Sequence, residues 1–189
     1  YCFEKWRQSG TLSDQTENAI INYIKHLKQT EGLENINLTW YGGEPLLQYK
    51  RVISLAKRIE QLGLNINENL LITNGYFFTP EIIKELVDAK ITEIQITLDG
   101  FKEIHDIRRP LANGKGTFDT IIENLDNYYN SSFRDAFAIA IRVNIDNRNY
   151  KSFIDIYKWL NDRYKSKRLI VYPGVVVLDE NDCNASTCL

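Results

Sequence analysis

The sequence predicts an α/β fold on a parallel sheet, and three observations predict it. Segments with the 3.6 period of a helix alternate with short strand-like runs along the chain. The run "AFAIAIRVNI" is apolar on both faces, as a strand in a helix-covered parallel sheet should be. The first three strand-like runs end in polar, glycine-containing loops that lead into helices.

Taken in order, Asp14 and Glu17 stand at capping-box spacing before Ile20, Tyr23, Ile24 and Leu27, which predicts a helix over 15–29. "INLTWYGGEP" alternates Ile36, Leu38 and Trp40 and then turns at two glycines, a strand of period two. The next helix carries Leu47, Val52, Ile53, Ala56 and Ile59. "NLLITNG" is an apolar run closed by Asn-Gly, and Thr79-Pro80 then supplies an N-cap and a first helical proline. "EIQITLDG" reads as a third strand and "GTFDTIIENL" as a helix behind Thr117. "YKSFIDIYKWL" and "RLIVYPGVVVL" continue the alternation after "AFAIAIRVNI". The total is one helix, four strand–helix units and a fifth strand. Repeated βα units give a parallel sheet, either doubly wound or curled into a barrel.

The chain has 189 residues, of which 43% are hydrophobic and 25% charged, enough for one domain with its own core. The net charge of -2 comes from intermixed acids and bases, so no basic face points to nucleic acid. No apolar run approaches the roughly 18 residues of a membrane span, and no secretory signal is evident, so a cytoplasmic protein is expected. Cys2, Cys183 and Cys188 form an odd set at the two ends, a poor disulfide framework that fits thiols or metal ligands better. The chain opens "YCFEKW" and contains no methionine, so a piece of a longer protein is expected. The domain boundary is placed near 178, with 1–178 as the barrel-type domain and polar 179–189 as the start of another region.

Ligands of parallel α/β proteins bind at the carboxyl ends of the strands. Those ends carry Gly42-Gly43-Glu44, Thr73-Asn74-Gly75, Thr97-Leu98-Asp99-Gly100, and Arg142 with Asn144. Each set has a plain reading as a turn or a surface ion pair, but four on one rim describe a binding site. Adjacent glycines leave backbone open to close approach, and Glu44 can accept from an ammonium group. Arg142 offers a planar fork to a carboxylate, while Thr73, Asn74, Thr97, Asp99 and Asn144 can bond ribose hydroxyls. The rim suits an amino acid joined to a nucleoside.

"YCF", "GGEP", "TNG", "TLDG", "HDIRR" and "GTFD", in this order, resemble the radical S-adenosylmethionine (SAM) enzymes. The resemblance is strongest to the peptide- and protein-modifying branch with SPASM or twitch domains, which includes anaerobic sulfatase-maturating enzymes, and it covers roughly residues 1–178. It implies a partial (βα)6 TIM-like barrel whose first strand is missing. It also implies a CxxxCxxC loop whose third cysteine is Cys2, ligating a [4Fe-4S] cluster. With the other two ligands expected upstream of residue 1, residues 1–189 alone are expected to be inactive. By resemblance Gly42, Gly43 and Glu44 receive the SAM amino group, Thr97 stands where the family usually has serine, and Arg142, with Asn144 nearby, meets the SAM carboxylate. A structural salt bridge is the open alternative for Arg142.

His105, Asp106 and Arg109 form an HDxxR pattern in the loop after Gly100, with positioning of loop or substrate set against pure scaffolding. Cys183 and Cys188 are candidate ligands of an auxiliary Fe-S cluster, with surface cysteines as the alternative. The implied activity is an oxidoreductase or maturase that forms a 5′-deoxyadenosyl radical and modifies a peptide or protein side chain. A reductant such as flavodoxin or ferredoxin would serve it. Two rivals remain: a cluster-free barrel that binds peptides, and a sugar-phosphate or aldolase-type barrel. The second lacks a strand-end lysine and a phosphate loop. Tyr41, Tyr76, Phe77 and Phe78 sit near strand ends, and at least half of them are expected in the core.

Overall fold

Five strands form one sheet in the order β1-β2-β3-β4-β5, every neighbouring pair parallel. The computed structural model describes residues 10–176. The elements are α1 (Asp14–Thr30), β1 (Asn35–Trp40), α2 (Tyr49–Glu60), β2 (Asn65–Thr73), α3 (Pro80–Asp88), β3 (Glu93–Leu98), α4 (Lys102–Arg108), α5 (Phe118–Tyr129), β4 (Ala138–Ile145), α6 (Phe153–Tyr164) and β5 (Leu169–Val175).

This order decides between the two architectures left open by the sequence. A doubly wound sheet reverses its strand order at a switch point, whereas here each strand lies beside its sequence neighbour. Crossovers of one hand that always step the same way place all the helices on one face of the sheet. That is the arrangement of an unclosed barrel.

Burial follows the same division. On the helix-covered face, Leu71, Ile94, Ile96, Leu98, Ile139, Ile141 and Val143 are almost fully buried and belong to one core with Ile83, Leu86, Ile121, Leu125, Ile156 and Leu160. Each contributes about 1.5–3 kcal/mol by leaving water. A second cluster of Ile24, Leu38, Leu55, Ile59 and Leu64 joins α1 and α2 to β1. The opposite face carries Gln95 and Thr97 of β3, Ala140 and Arg142 of β4 and Tyr172 of β5, all half-buried. Across it the Tyr172 hydroxyl donates to Gln95 Oε1 at 2.7 Å, linking β5 to β3 over the intervening β4.

Two helix starts differ from the sequence reading. Ser13 caps α1, its Oγ accepting from the Thr16 N–H, and Glu17 turns inward to Arg51 (2.7 Å) and Arg58 (3.4 Å) of α2. The carboxylate at capping-box spacing thus joins two helices instead of closing a box. Residues Pro45–Gln48 form a separate 3-10 turn ahead of α2, and Leu47 is exposed. Pro80 does open α3 behind Thr79, whose side chain makes no capping bond.

Candidate functional site at the strand ends

The sheet's parallel register sets the strand ends side by side, with Thr97 of β3 paired to Arg142 of β4, and Arg142 to Tyr172 of β5. Beyond β1, Tyr41, Gly42 and Gly43 are exposed, and nothing lies within 4 Å of where a Gly42 Cβ would be. Backbone groups there are open to a ligand.

Glu44 is turned inward to the protein. Its Oε1 accepts from the Thr73 hydroxyl at 2.7 Å and from the Leu46 N–H at 3.0 Å, and its Oε2 accepts from the Asn74 N–H at 2.7 Å. One carboxylate thereby ties the end of β1 to the end of β2. Thr73 is buried, and its Oγ1 also accepts from the Gly75 N–H at 3.0 Å. Asn74 Oδ1 accepts from the Tyr76 N–H at 2.8 Å, an Asx turn. From α5, buried Asn124 donates to the carbonyls of Gly75 (3.1 Å) and Tyr76 (2.9 Å). Glu44, Thr73 and Asn74 therefore form the structural seam of the rim.

Gly75 is needed twice at this seam. Its φ of 79° is left-handed, and a Cβ would lie 2.9 Å from Ile96 Cγ2 and 3.2 Å from Ile121 Cγ2. Gly75→Ala is expected to destabilise the protein by about 2 kcal/mol, combining backbone strain with overpacking. Urea denaturation of the two proteins measures the difference.

Asp99 at the end of β3 is fully buried, and its Oδ1 lies 3.2 Å from Arg109 Nε. The HDxxR residues sit on and just after helix α4, where the sequence predicted a loop. His105 is also fully buried: its Nδ1 accepts from the Asp99 N–H at 3.2 Å, and its Nε2 is 3.0 Å from Thr117 Oγ1. Thr117 gives its own proton to the Arg109 carbonyl at 2.8 Å, so Nε2 must be the donor to Thr117. The ring is the neutral Nε2–H tautomer, and desolvation lowers its pKa to about 4, opposed by Asp99 and assisted by Arg109. Asp106 Oδ1 accepts from the N–H groups of Thr117 and Phe118, both at 2.8 Å, and so caps α5 from α4. Of the two readings of HDxxR, the described contacts are those of a scaffold.

Asn149, absent from the sequence reading, completes this region. It is buried, and its Nδ2 donates to the carbonyls of Asp99 (2.6 Å) and Asn144 (2.9 Å), pinning β3 to β4. Arg108 of α4 pairs at 2.5 Å with Asp146, which precedes Asn149 in the turn after β4.

Arg142 differs from Arg108 and Arg109 of this frame, which pair with Asp146 and Asp99. It is half-buried on the helix-free face, its Nε is buried without a hydrogen-bond partner, and no ion pair forms to it among the described residues. The structural salt bridge weighed for it is not among the observed contacts. Arg142 and Asn144 both lean over Gly174, where a Cβ would lie 2.3 Å from Arg142 Nε and 2.7 Å from Asn144 Oδ1. Of the aromatic residues, Phe78 is fully buried, Phe77 packs against the core, Tyr76 stacks edge-on to Phe77, and Tyr41 is exposed.

Cys2, Cys183 and Cys188 lie outside the described residues, as does the proposed boundary near 178. Among the described residues no group of three or more His, Cys, Asp or Glu is placed to hold a metal, and no helix is long and apolar enough to cross a membrane.

Comparison with known proteins supplies the remaining evidence. The mycofactocin maturase MftC of Mycolicibacterium smegmatis is 38% identical over 77 residues, 39% of this chain and 19% of that protein. The serine-type anaerobic sulfatase-maturating enzyme of Klebsiella aerogenes is 30% identical over 135 residues, 67% of this chain and 32% of that protein. A solved structure of native anSMEcpe with bound AdoMet and Kp18Cys peptide superposes with a TM-score of 0.76 at 19% identity, over 97% of this chain and 49% of that one. At that identity the superposition shows a shared fold. The chain spans about a fifth to a third of the length of these two relatives. The family model of the Radical SAM superfamily matches residues 1–160, in agreement with the fold and with the ordered strand-end motifs, so this chain belongs to the radical SAM superfamily.

Proposed function

We propose that the strand-end rim binds SAM beside a [4Fe-4S] cluster, and that the chain is the core of an enzyme that modifies a peptide or protein side chain. The observation that carries this reading is Arg142: half-buried, on the helix-free face, and without an ion pair among the described residues. Leaving a guanidinium desolvated with a donor unused is costly, and a carboxylate from a ligand repays it with charge-assisted bonds. A SAM carboxylate fits that requirement.

The other residues divide between contact and support. Gly42 and Gly43 offer open backbone to the amino group, while Thr97 and Asn144 present polar groups beside Arg142. Glu44, Thr73, Asn74 and buried Asp99 hold the strand ends at fixed separations, so their share is to orient the contacting groups. When bound, the cluster and SAM would supply radical chemistry for taking a hydrogen atom from the substrate, with the strand-end residues holding and orienting SAM. Cys2 would be one cluster thiolate in a complete CxxxCxxC loop, and Cys183 and Cys188 are candidates for an auxiliary cluster. A peptide or protein substrate, a reductant of the flavodoxin or ferredoxin kind and a cytoplasmic setting complete the proposal; the maturase relatives support the substrate class.

The test is anaerobic. The protein carrying the whole cysteine loop, reconstituted with iron and sulfide and reduced, is expected to cleave SAM to 5′-deoxyadenosine, measured by chromatography. Reconstituted protein that binds neither cluster nor SAM would favour a peptide-binding barrel instead.

A further inference from the structure

Gly174 lies inside β5, where glycine weakens a strand and normally marks a bulge or a close approach. Its backbone is not in the left-handed region, so an alanine could adopt the same conformation. The three heavy atoms nearest its missing Cβ are Arg142 Nε (2.3 Å), Asn144 Oδ1 (2.7 Å) and Arg142 Nη2 (3.0 Å), all from side chains of β4. The register explains this, because Asn144 pairs with Gly174 and Arg142 with Tyr172, two residues earlier on the same face. Tyr172 cannot readily move aside, its hydroxyl being held by Gln95 at 2.7 Å. Gly174 is thus the space on β5 that the guanidinium occupies.

We propose that Gly174 is a positioning residue: its missing side chain seats the Arg142 guanidinium and thereby sets affinity for the carboxylate of the ligand. The inference rests on the reading of Arg142 given above. A methyl group at 174 displaces the guanidinium from β5, since atoms cannot approach to 2.3 Å. Arginine is long enough to swing away without disturbing the core, so the loss falls on ligand binding and not on folding.

The experiment measures equilibrium affinity of the cluster-loaded full-length protein for SAM and for decarboxylated SAM, with melting temperatures alongside. Gly174→Ala is expected to weaken SAM binding about tenfold, to leave decarboxylated SAM unchanged, and to keep the melting temperature. In an Arg142→Ala background the same change is expected to add far less, leaving only the displacement of Asn144 Oδ1, the signature of two residues acting mainly through one contact. Gly174→Ser serves as a second variant with the same expected pattern. An equal loss for both ligands, or full additivity with Arg142→Ala, would overturn the positioning role. If Arg142→Ala weakens SAM and neither Gly174 variant does, the inference fails while the proposed SAM site stands. Unchanged SAM affinity in Arg142→Ala overturns both.

Discussion

Glu44→Ala is expected to lower stability by about 3 kcal/mol, a fall of roughly 6–12 °C in melting temperature for a domain of this size. Three donors lose their acceptor at once: the Thr73 hydroxyl and the backbone N–H groups of Asn74 and Leu46. Thr73 is buried, so water does not readily replace the carboxylate there. Each bond to a charged acceptor contributes about 1.5–3 kcal/mol, and solvent at half-buried Asn74 recovers part of the total. Glu44→Gln keeps one acceptor oxygen and is expected to fall between, with a loss of about 1–2 kcal/mol. Chemical denaturation without any ligand separates this effect from SAM binding. A change below about 0.5 kcal/mol for Glu44→Ala would show that the seam does not hold the rim.

Acid is expected to weaken the fold through His105 alone by about 3 kcal/mol between pH 6.5 and about 4. In the unfolded chain the imidazole takes a proton below its ordinary value of 6.5, whereas in the fold it stays neutral until about pH 4. The unfolded state therefore binds more protons across that window, and stability falls as pH falls through it. Burial is the main cause, and the geometry agrees with it. Protonating Nδ1 would set a proton against the Asp99 N–H that now donates to that nitrogen. Asp99 and Asp106 favour the charged ring and Arg109 disfavours it. The difference in pH dependence between the native protein and His105→Gln isolates this group from the carboxylates. Parallel curves for the two proteins from pH 7 to pH 4 would contradict it.

Much of the fold was legible because the same physics acts within short stretches. Alternation of Ile36, Leu38 and Trp40 marked β1, a run apolar on both faces marked β4, and the 3.6-residue stripe marked α1. Thr79-Pro80 announced the start of α3 because a proline lacks the N–H that a first helical turn leaves unused. Helix α4 was missed because seven residues carry too short a stripe to stand out. The Asp14/Glu17 spacing misled because a carboxylate at that position has two uses, and the nearness of Arg51 and Arg58 selects the other.

The candidate site divides along the same line. Sequence order alone placed Glu44, Thr73, Thr97, Asp99, Arg142 and Asn144 at strand ends, and it directed all of them to a ligand. Distance separates them: Glu44 and Asp99 are spent on protein partners, and Arg142 has none among the described residues. Asn124 had a signal that was available, a polar residue within the Ile121, Leu125 and Tyr128 stripe of α5, which implies a buried partner. Asn149 had none, since its acceptors are carbonyls 5 and 50 residues away.

By itself the sequence determined the alternation of elements, the helix-facing core and the set of polar residues carried to the strand ends, because periodicity, capping and turn chemistry are local. Only the tertiary structure decided the unclosed sequential sheet, the seam made by Glu44, and the seating of Arg142 over Gly174. Each of these depends on groups far apart in the chain meeting within about 3 Å, and hydrogen bonding and steric exclusion act at that range only after the chain has folded.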